Sequence, residues 1–148
     1  PVGVLGSGSF GTAVANLLAY NSDVMLFSRK SEVVSAINET RHHLGVQMSS
    51  RVMATSDLAE MAARCTLIIP VVPSNSFRAM MQALAPYLRP HHIIIHGTKG
   101  FDLKDIDEND LERPGLILTR ANVRTMSEGF GKKAAAQECT VESASCRL

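Results

Sequence analysis

Gly6, Gly8 and Gly11 stand in the spacing G-x-G-x-x-G, within the run Gly6-Ser7-Gly8-Ser9-Phe10-Gly11 that directly follows apolar residues 2–5. Each glycine answers a geometric need. Gly6 permits a tight turn off a strand, Gly8 lets a pyrophosphate approach the backbone, and Gly11 lets the next helix pack close to that strand. The helix that opens at Phe10 then presents unpaired N–H groups and a dipole that favour an anion. The chemistry implied is the binding of a dinucleotide.

Three further groups fall where such a ligand would lie. Ser28-Arg29-Lys30 occupies the place, about 20 residues past the glycines, where NAD-selective sites carry an acidic residue for the ribose hydroxyls. A cation there pairs with a 2′-phosphate, Arg29 as a planar fork and Lys30 as a point charge, so NADP(H) is preferred and NAD(H) is admitted. The plainer reading is two solvated charges at a helix entry. Val72-Pro73-Ser74 and Thr98-Lys99-Gly100 each follow an apolar run, at the sheet edge where open α/β folds bind ligands. Pro73 offers a rigid apolar wall to a nicotinamide ring, and Lys99 is long enough to reach a substrate carbonyl or phosphate. On spacing alone, Lys99 reads more simply as a surface charge.

These residues need a frame, and the apolar pattern supplies one. Residues 2–5 read as a strand, 10–20 as a helix with Phe10, Ala13, Val14, Leu17 and Leu18 on its buried face, and 24–27 as a second strand. Residues 31–38 read as a short helix, 41–50 as a polar loop and 52–54 as a third strand. Asp57 is expected to cap a helix running to Ala63, and 65–69 to form a fourth strand, with Pro70 ending the ladder because it has no N–H to donate. A helix follows with Phe77, Met80, Met81 and Leu84 on one face, then a fifth strand over 92–96. Residues 116–118 read as a further strand and 122–128 as a helix. Alternating strands and helices imply an α/β fold: a doubly wound parallel sheet of Rossmann type.

Bulk properties narrow the function classes. The 148 residues, 45% apolar, suffice for one well-cored domain and are short for two. With 15 basic and 14 acidic residues the net charge is +1, which argues against a nucleic-acid partner. Cys65, Cys139 and Cys146 are odd in number and lack C-x-x-C spacing, so neither a disulfide framework nor a zinc site is expected, and a cytoplasmic location fits. No run approaches the ~20 apolar residues of a membrane span. The pairs His42-His43 and His91-His92 do not project to one point on a helix or strand, so no metal is expected.

Taken together, GSGSFG, Ser28-Arg29-Lys30, Val72-Pro73-Ser74, Thr98-Lys99-Gly100 and Met126-Ser127-Glu128 resemble the N-terminal domain of bacterial NAD(P)-dependent glycerol-3-phosphate dehydrogenase. The resemblance runs from about Val2 to Glu128, and Thr-Lys-Gly is its most discriminating part. It implies reversible reduction of dihydroxyacetone phosphate to sn-glycerol 3-phosphate, a phospholipid precursor, with NADPH or NADH. Matched residue by residue, Ser9 and Phe10 become contacts at the glycine turn, Arg29 an adenosine-side contact, and Lys99 a contact to cofactor and substrate. The family continues with a Ser-Gly-Pro segment and an all-helical domain carrying the general acid/base lysine, and neither follows here. Residues 1–128 are therefore expected to be a truncated cofactor domain, inactive alone, with 129–148 a tail that is disordered or foreign to the pattern and carries no comparable strand. Lys132 and Lys133 do not match the acid/base lysine. A homodimer is left open, as are two other readings: a different Rossmann dehydrogenase, and a non-catalytic nucleotide-sensing module.

Overall fold

In the computed structural model, residues 1–98 are described in full, together with the backbone of 101–103, 123–125 and 140–143. The first strand, β1 (Val2–Leu5), lies at the middle of a six-stranded parallel sheet. To one side stand β2 (Val24–Phe27) and β5 (Val52–Thr55); to the other stand β6 (Leu67–Pro70), β7 (Ile93–His96) and β10 (Thr140–Ser143). The order is β10-β7-β6-β1-β2-β5. Chain direction thus reverses its progress across the sheet at β1, which makes the carboxyl end of β1 the crevice where doubly wound folds take ligands. The expected fold class holds.

Helices cover both faces, so the inner strands are apolar without alternation. On one face α1 (Ser9–Leu18) and the segment α2 (Ser31–Ser35), continued by a π-helical turn at Ala36–Thr40, bury Val4, Leu26, Ile37 and Val52. On the other, α3 (Leu58–Arg64) and α4 (Ser74–Leu84) bury Leu5, Ile68, Met61, Met81 and Ile94. Asp57 caps α3 as expected, its carboxylate accepting from the N–H groups of Ala59 at 2.7 Å and Glu60 at 3.2 Å. Phe77, Met80, Met81 and Leu84 form the buried face of α4.

Several expectations are corrected. The buried stripe of α1 is Gly11, Thr12, Ala15 and then Ala19; Val14 and Leu18 pack against the core partly buried, as expected, while Ala13 is exposed and Phe10 and Leu17 are 60% and 68% exposed. Small side chains allow the helix to lie close to β1, and that close approach outweighs the apolar periodicity. The ladder of β6 reaches Pro70, which is paired with Leu5; the carbonyl oxygen of Pro70 accepts from Gly97 at 3.2 Å, and Leu5 is served by the N–H of Val71 at 2.9 Å. The missing proline donor is thereby bypassed rather than ending the strand. Within the expected loop at 41–50, β3 (His42–His43) and β4 (Val46–Gln47) form a hairpin. The expected helix at 122–128 is replaced at β9 (Val123–Thr125) by a strand antiparallel to β8 (Phe101–Leu103); β-branched residues at alternate positions suit the extended backbone. The tail, expected without a strand, provides β10 beside β7, where β-branched Thr140 and Val141 sit at the edge of the sheet. The expected strand at 116–118 lies outside the described residues.

Candidate functional site

The glycine turn leaves β1 at the switch point, and two of its three glycines are required by its backbone. Gly6 has φ +118°, a conformation that side-chain-bearing residues rarely adopt, and a Cβ there would lie 3.0 Å from the carbonyl oxygen of Val71. A Cβ on Gly11 would lie 1.8 Å from the carbonyl oxygen of Gly6, so helix and turn meet with no room for a methyl group. Around Gly8 the position of a Cβ is open, with nothing within 4 Å. Gly8 is also the N-cap of α1, and no side chain caps the first N–H groups of that helix. An uncapped ten-residue helix facing open space beside a glycine is the arrangement that receives a phosphate.

An open cleft of about 230 Å³ adjoins this turn. Gly6 and Gly8, Arg29 and Lys30 from the end of β2, and Pro73 from the start of α4 all line it. Five of the sequence-predicted residues are thus brought together from three elements. No Asp or Glu is among the lining residues. Cations on an acid-free rim favour a ligand that carries phosphate at that end. The volume is below the roughly 300–1,000 Å³ of pockets that enclose a whole drug-sized ligand, so the cleft has room for only part of a larger one.

Hydrogen bonds hold the rim together. Ser7 Oγ donates to Ser28 Oγ at 2.9 Å, and Ser28 Oγ accepts the N–H of Lys30 at 3.3 Å. Ser28 is nearly fully buried, and its N–H bonds the carbonyl of Thr55 at 3.0 Å, so the end of β2 is fixed where Arg29 and Lys30 depart. Thr98 Oγ1 donates to the carbonyl of Val72 at 3.0 Å, tying the loop after β7 to the one after β6. Ser28 and Val72, in the triplets read from the sequence, also line the cleft, as do Ser7, Phe27, Val71, Ser76 and Met80, which sequence reasoning did not assign to the site. For Ser7 and Val71 the signal was position just past the carboxyl end of a strand, whereas Ser76 and Met80 come from α4.

Three predicted residues lie beside the cleft instead of lining it. Ser9 begins α1, and Gly11 is buried beneath the turn. Phe10 projects to the far side, where its ring edge would lie 3.5 Å from a Cβ built on Gly97. Phe10 therefore bridges the glycine turn to the loop that carries Lys99, which itself lies outside the described residues. Behind that loop, His96 is buried with its ring 5.3 Å from that of Phe77, and burial holds its pKa below the usual value despite a hydrogen bond with the backbone of Thr98 that opposes the shift. His96 is a neutral strut at neutral pH rather than a charge for the ligand. Burial likewise raises the Cys65 thiol pKa, aided by Glu60 and partly countered by the positive N-terminus and Arg64, so Cys65 is a packing residue. Among the described residues no cluster of three or more His, Cys, Asp or Glu could hold a metal ion, and no helix is long and apolar enough to cross a membrane.

Comparison with known proteins follows the same outline. Residues 1–127 match the family model of the NAD-dependent glycerol-3-phosphate dehydrogenase N-terminus. A glycerol-3-phosphate dehydrogenase [NAD(P)+] of Carboxydothermus hydrogenoformans is 36% identical over 123 residues, which cover 80% of this chain and 35% of that protein. One from Myxococcus xanthus is 42% identical over 105 residues, covering 67% and 31% respectively. The crystal structure of glycerol-3-phosphate dehydrogenase from Coxiella burnetii superposes with a TM-score of 0.68 at 25% identity, over 97% of this chain and 39% of that one. The chain thus spans about a third of the length of the curated relatives it matches.

Proposed function

Because the chain belongs to the family of the NAD-dependent glycerol-3-phosphate dehydrogenase N-terminus, we propose that its cleft holds the pyrophosphate and adenosine end of a nicotinamide dinucleotide, NADP(H) in preference to NAD(H), for reversible reduction of dihydroxyacetone phosphate to sn-glycerol 3-phosphate. The observation that carries this reading is the meeting of the open backbone at Gly8, the uncapped start of α1 and the cations Arg29 and Lys30 around one acid-free cleft.

In this reading Gly8 and the first N–H groups of α1, at Ser9 and Phe10, bind the pyrophosphate, and Arg29 pairs with a 2′-phosphate, assisted by Lys30. Pro73 and Phe10 limit where the nicotinamide end can lie. The dinucleotide supplies a hydride; the chain supplies orientation and the exclusion of water on the sheet side. Lys99, two residues beyond Gly97, is assigned to the substrate, where an ammonium stabilises the oxygen that gains charge as the carbonyl is reduced. Among these residues none is assigned as the general acid, so this chain alone is expected to bind the dinucleotide without turnover. A cytoplasmic setting and the absence of a nucleic-acid partner belong to the same reading.

Grafting tests it. Residues 1–127, put in place of the matching part of the Carboxydothermus hydrogenoformans relative, should yield a protein that oxidises NADPH with dihydroxyacetone phosphate and loses that turnover on Lys99→Ala. A folded graft that binds NADPH but turns over only other carbonyl compounds, or is unaffected by Lys99→Ala, would contradict the proposal.

A further inference from the structure

The glycine turn is held from outside by a side chain that neither the family match nor the cleft brings into view. Nε2 of His43 lies 2.7 Å from the carbonyl oxygen of Ser7, a contact that spans 36 positions of sequence. A carbonyl can only accept, so Nε2 carries the proton and donates. Ser7 is the first residue between the glycines, and its Oγ is already committed to Ser28. Ser7 is therefore held through two atoms: its hydroxyl to Ser28, just past β2, and its carbonyl to the β3–β4 hairpin.

The hairpin is built to place that imidazole. His43 pairs with Val46, and the reversal between them uses Leu44 at φ +52° and Gly45 at φ +73°. Two positive φ values in a two-residue reversal suit the twist of a hairpin, but for leucine that conformation is sterically disfavoured. Arg41, just before β3, is also left-handed at φ +59°. Strained backbone of this kind persists only where surrounding contacts over-determine it. Those contacts are present: Asn16 on α1 donates from Nδ2 to the carbonyl of Gln47 at 3.0 Å and accepts the N–H of Ser49 at Oδ1, also at 3.0 Å. The carbonyl of Arg41 receives the N–H of Met48 at 2.7 Å, and Met48 is buried in the core beneath α1. The hairpin is thus latched to α1 by Asn16 and to the glycine turn by His43.

Orientation of the Ser7 peptide matters because an anion-binding turn must present N–H groups and keep its carbonyl oxygens away from the phosphates. We infer that His43 is a positioning residue for dinucleotide binding: by holding the Ser7 carbonyl against the hairpin it keeps the glycine turn open toward a pyrophosphate. This inference rests on the cofactor reading above, because a turn that received no phosphate would need no such orientation.

The test compares the 148-residue chain with its His43→Ala, His43→Asn and His43→Gln variants, titrated with NADPH and separately with adenosine 2′-monophosphate, which carries the 2′-phosphate and lacks the pyrophosphate. Glutamine retains a donor of similar reach; asparagine is too short. His43→Ala and His43→Asn should each weaken NADPH about fivefold, the loss of one hydrogen bond of average strength, with adenosine 2′-monophosphate bound as before. His43→Gln should recover most of the affinity. NADPH affinities within twofold across all four proteins would overturn the inference while leaving the cofactor reading intact, as would an equal loss for both ligands or an absence of recovery in His43→Gln. Failure of the unsubstituted chain to bind NADPH would instead remove the cofactor reading and this inference with it.

Discussion

Substituting alanine at Gly11 and at Gly8 separates two demands that one motif makes on the chain. At Gly11 the added Cβ would stand 1.8 Å from the carbonyl oxygen of Gly6, whereas real contacts of this kind stop near 3.0 Å. The helix would have to move away from the turn by the difference, 1.2 Å, and the obstructing atom is backbone that no rotamer change relieves. The face that moves, with Thr12, Ala15 and Ala19, is the one packed on β1. Overpacking at a rigid contact costs about 1–3 kcal/mol, and loss of helix packing places this case at or above the upper end. For a chain of this size about 3 kcal/mol corresponds to a fall in Tm of roughly 6–12 °C. Gly8 is the opposite case: its φ of −73° suits any residue and a Cβ there meets nothing. Alanine is a poorer N-cap than glycine but restricts the unfolded chain, two effects of about 0.5–1 kcal/mol that oppose each other. Gly8→Ala should therefore melt within about 2 °C of the parent while binding NADPH at least tenfold more weakly, because its methyl group fills the space left for the pyrophosphate. Thermal melts followed by circular dichroism, with NADPH titrations of the same samples, read both quantities. A Gly11→Ala protein as stable as the parent would refute the packing argument, and a Gly8→Ala protein that binds normally would refute the placement of the phosphates.

Two further outcomes follow from other residues. Arg29→Ala should weaken NADPH several-fold and NADH less than twofold, with the difference shrinking as salt rises, because the side chain is exposed at the cleft rim; equal losses for both cofactors would show that Arg29 does not read the 2′-phosphate. His96 has a pKa held below the ordinary 6.5 by burial, so as pH falls below that value the unfolded chain takes up its proton first and the native state loses stability. Denaturant midpoints should accordingly be flat above about pH 7 and fall toward pH 5, and His96→Gln should reduce that slope; an unchanged slope would assign it to other groups.

Much of this site was readable from residue types. Gly6, Gly8 and Gly11 answer three different geometric demands at fixed spacing, and no other residue would serve at Gly6 or Gly11. Arg29, Lys30 and Pro73 were legible because the ends of parallel strands converge on one edge, so residues just beyond each apolar run meet in space. The buried face of α1 was only partly read, Val14 and Leu18 correctly, because apolar periodicity favours large side chains, while the helix is drawn to β1 by small ones. Pro70 misled for a related reason: its missing donor matters only if a ladder partner needs it, and Val71 meets that need. The hairpin at 42–47 left little trace, since its strands are two residues each and its reversal uses Leu44, a residue that turn statistics would not choose. His43 was invisible to pattern for the plainest reason. Its partner is a backbone carbonyl 36 positions away, and any residue at position 7 would present the same oxygen.

The central claim is that the cleft beside the glycine turn takes a dinucleotide by its phosphates, and calorimetric titration of NADPH against NADH into the same protein tests it most directly. The account predicts a single saturable site for both, with NADPH the tighter by several-fold and the gap closed in Arg29→Ala. Undetectable binding of both cofactors would contradict the claim at its base, and tighter binding of NADH would contradict the assignment of Arg29 and Lys30 to a 2′-phosphate.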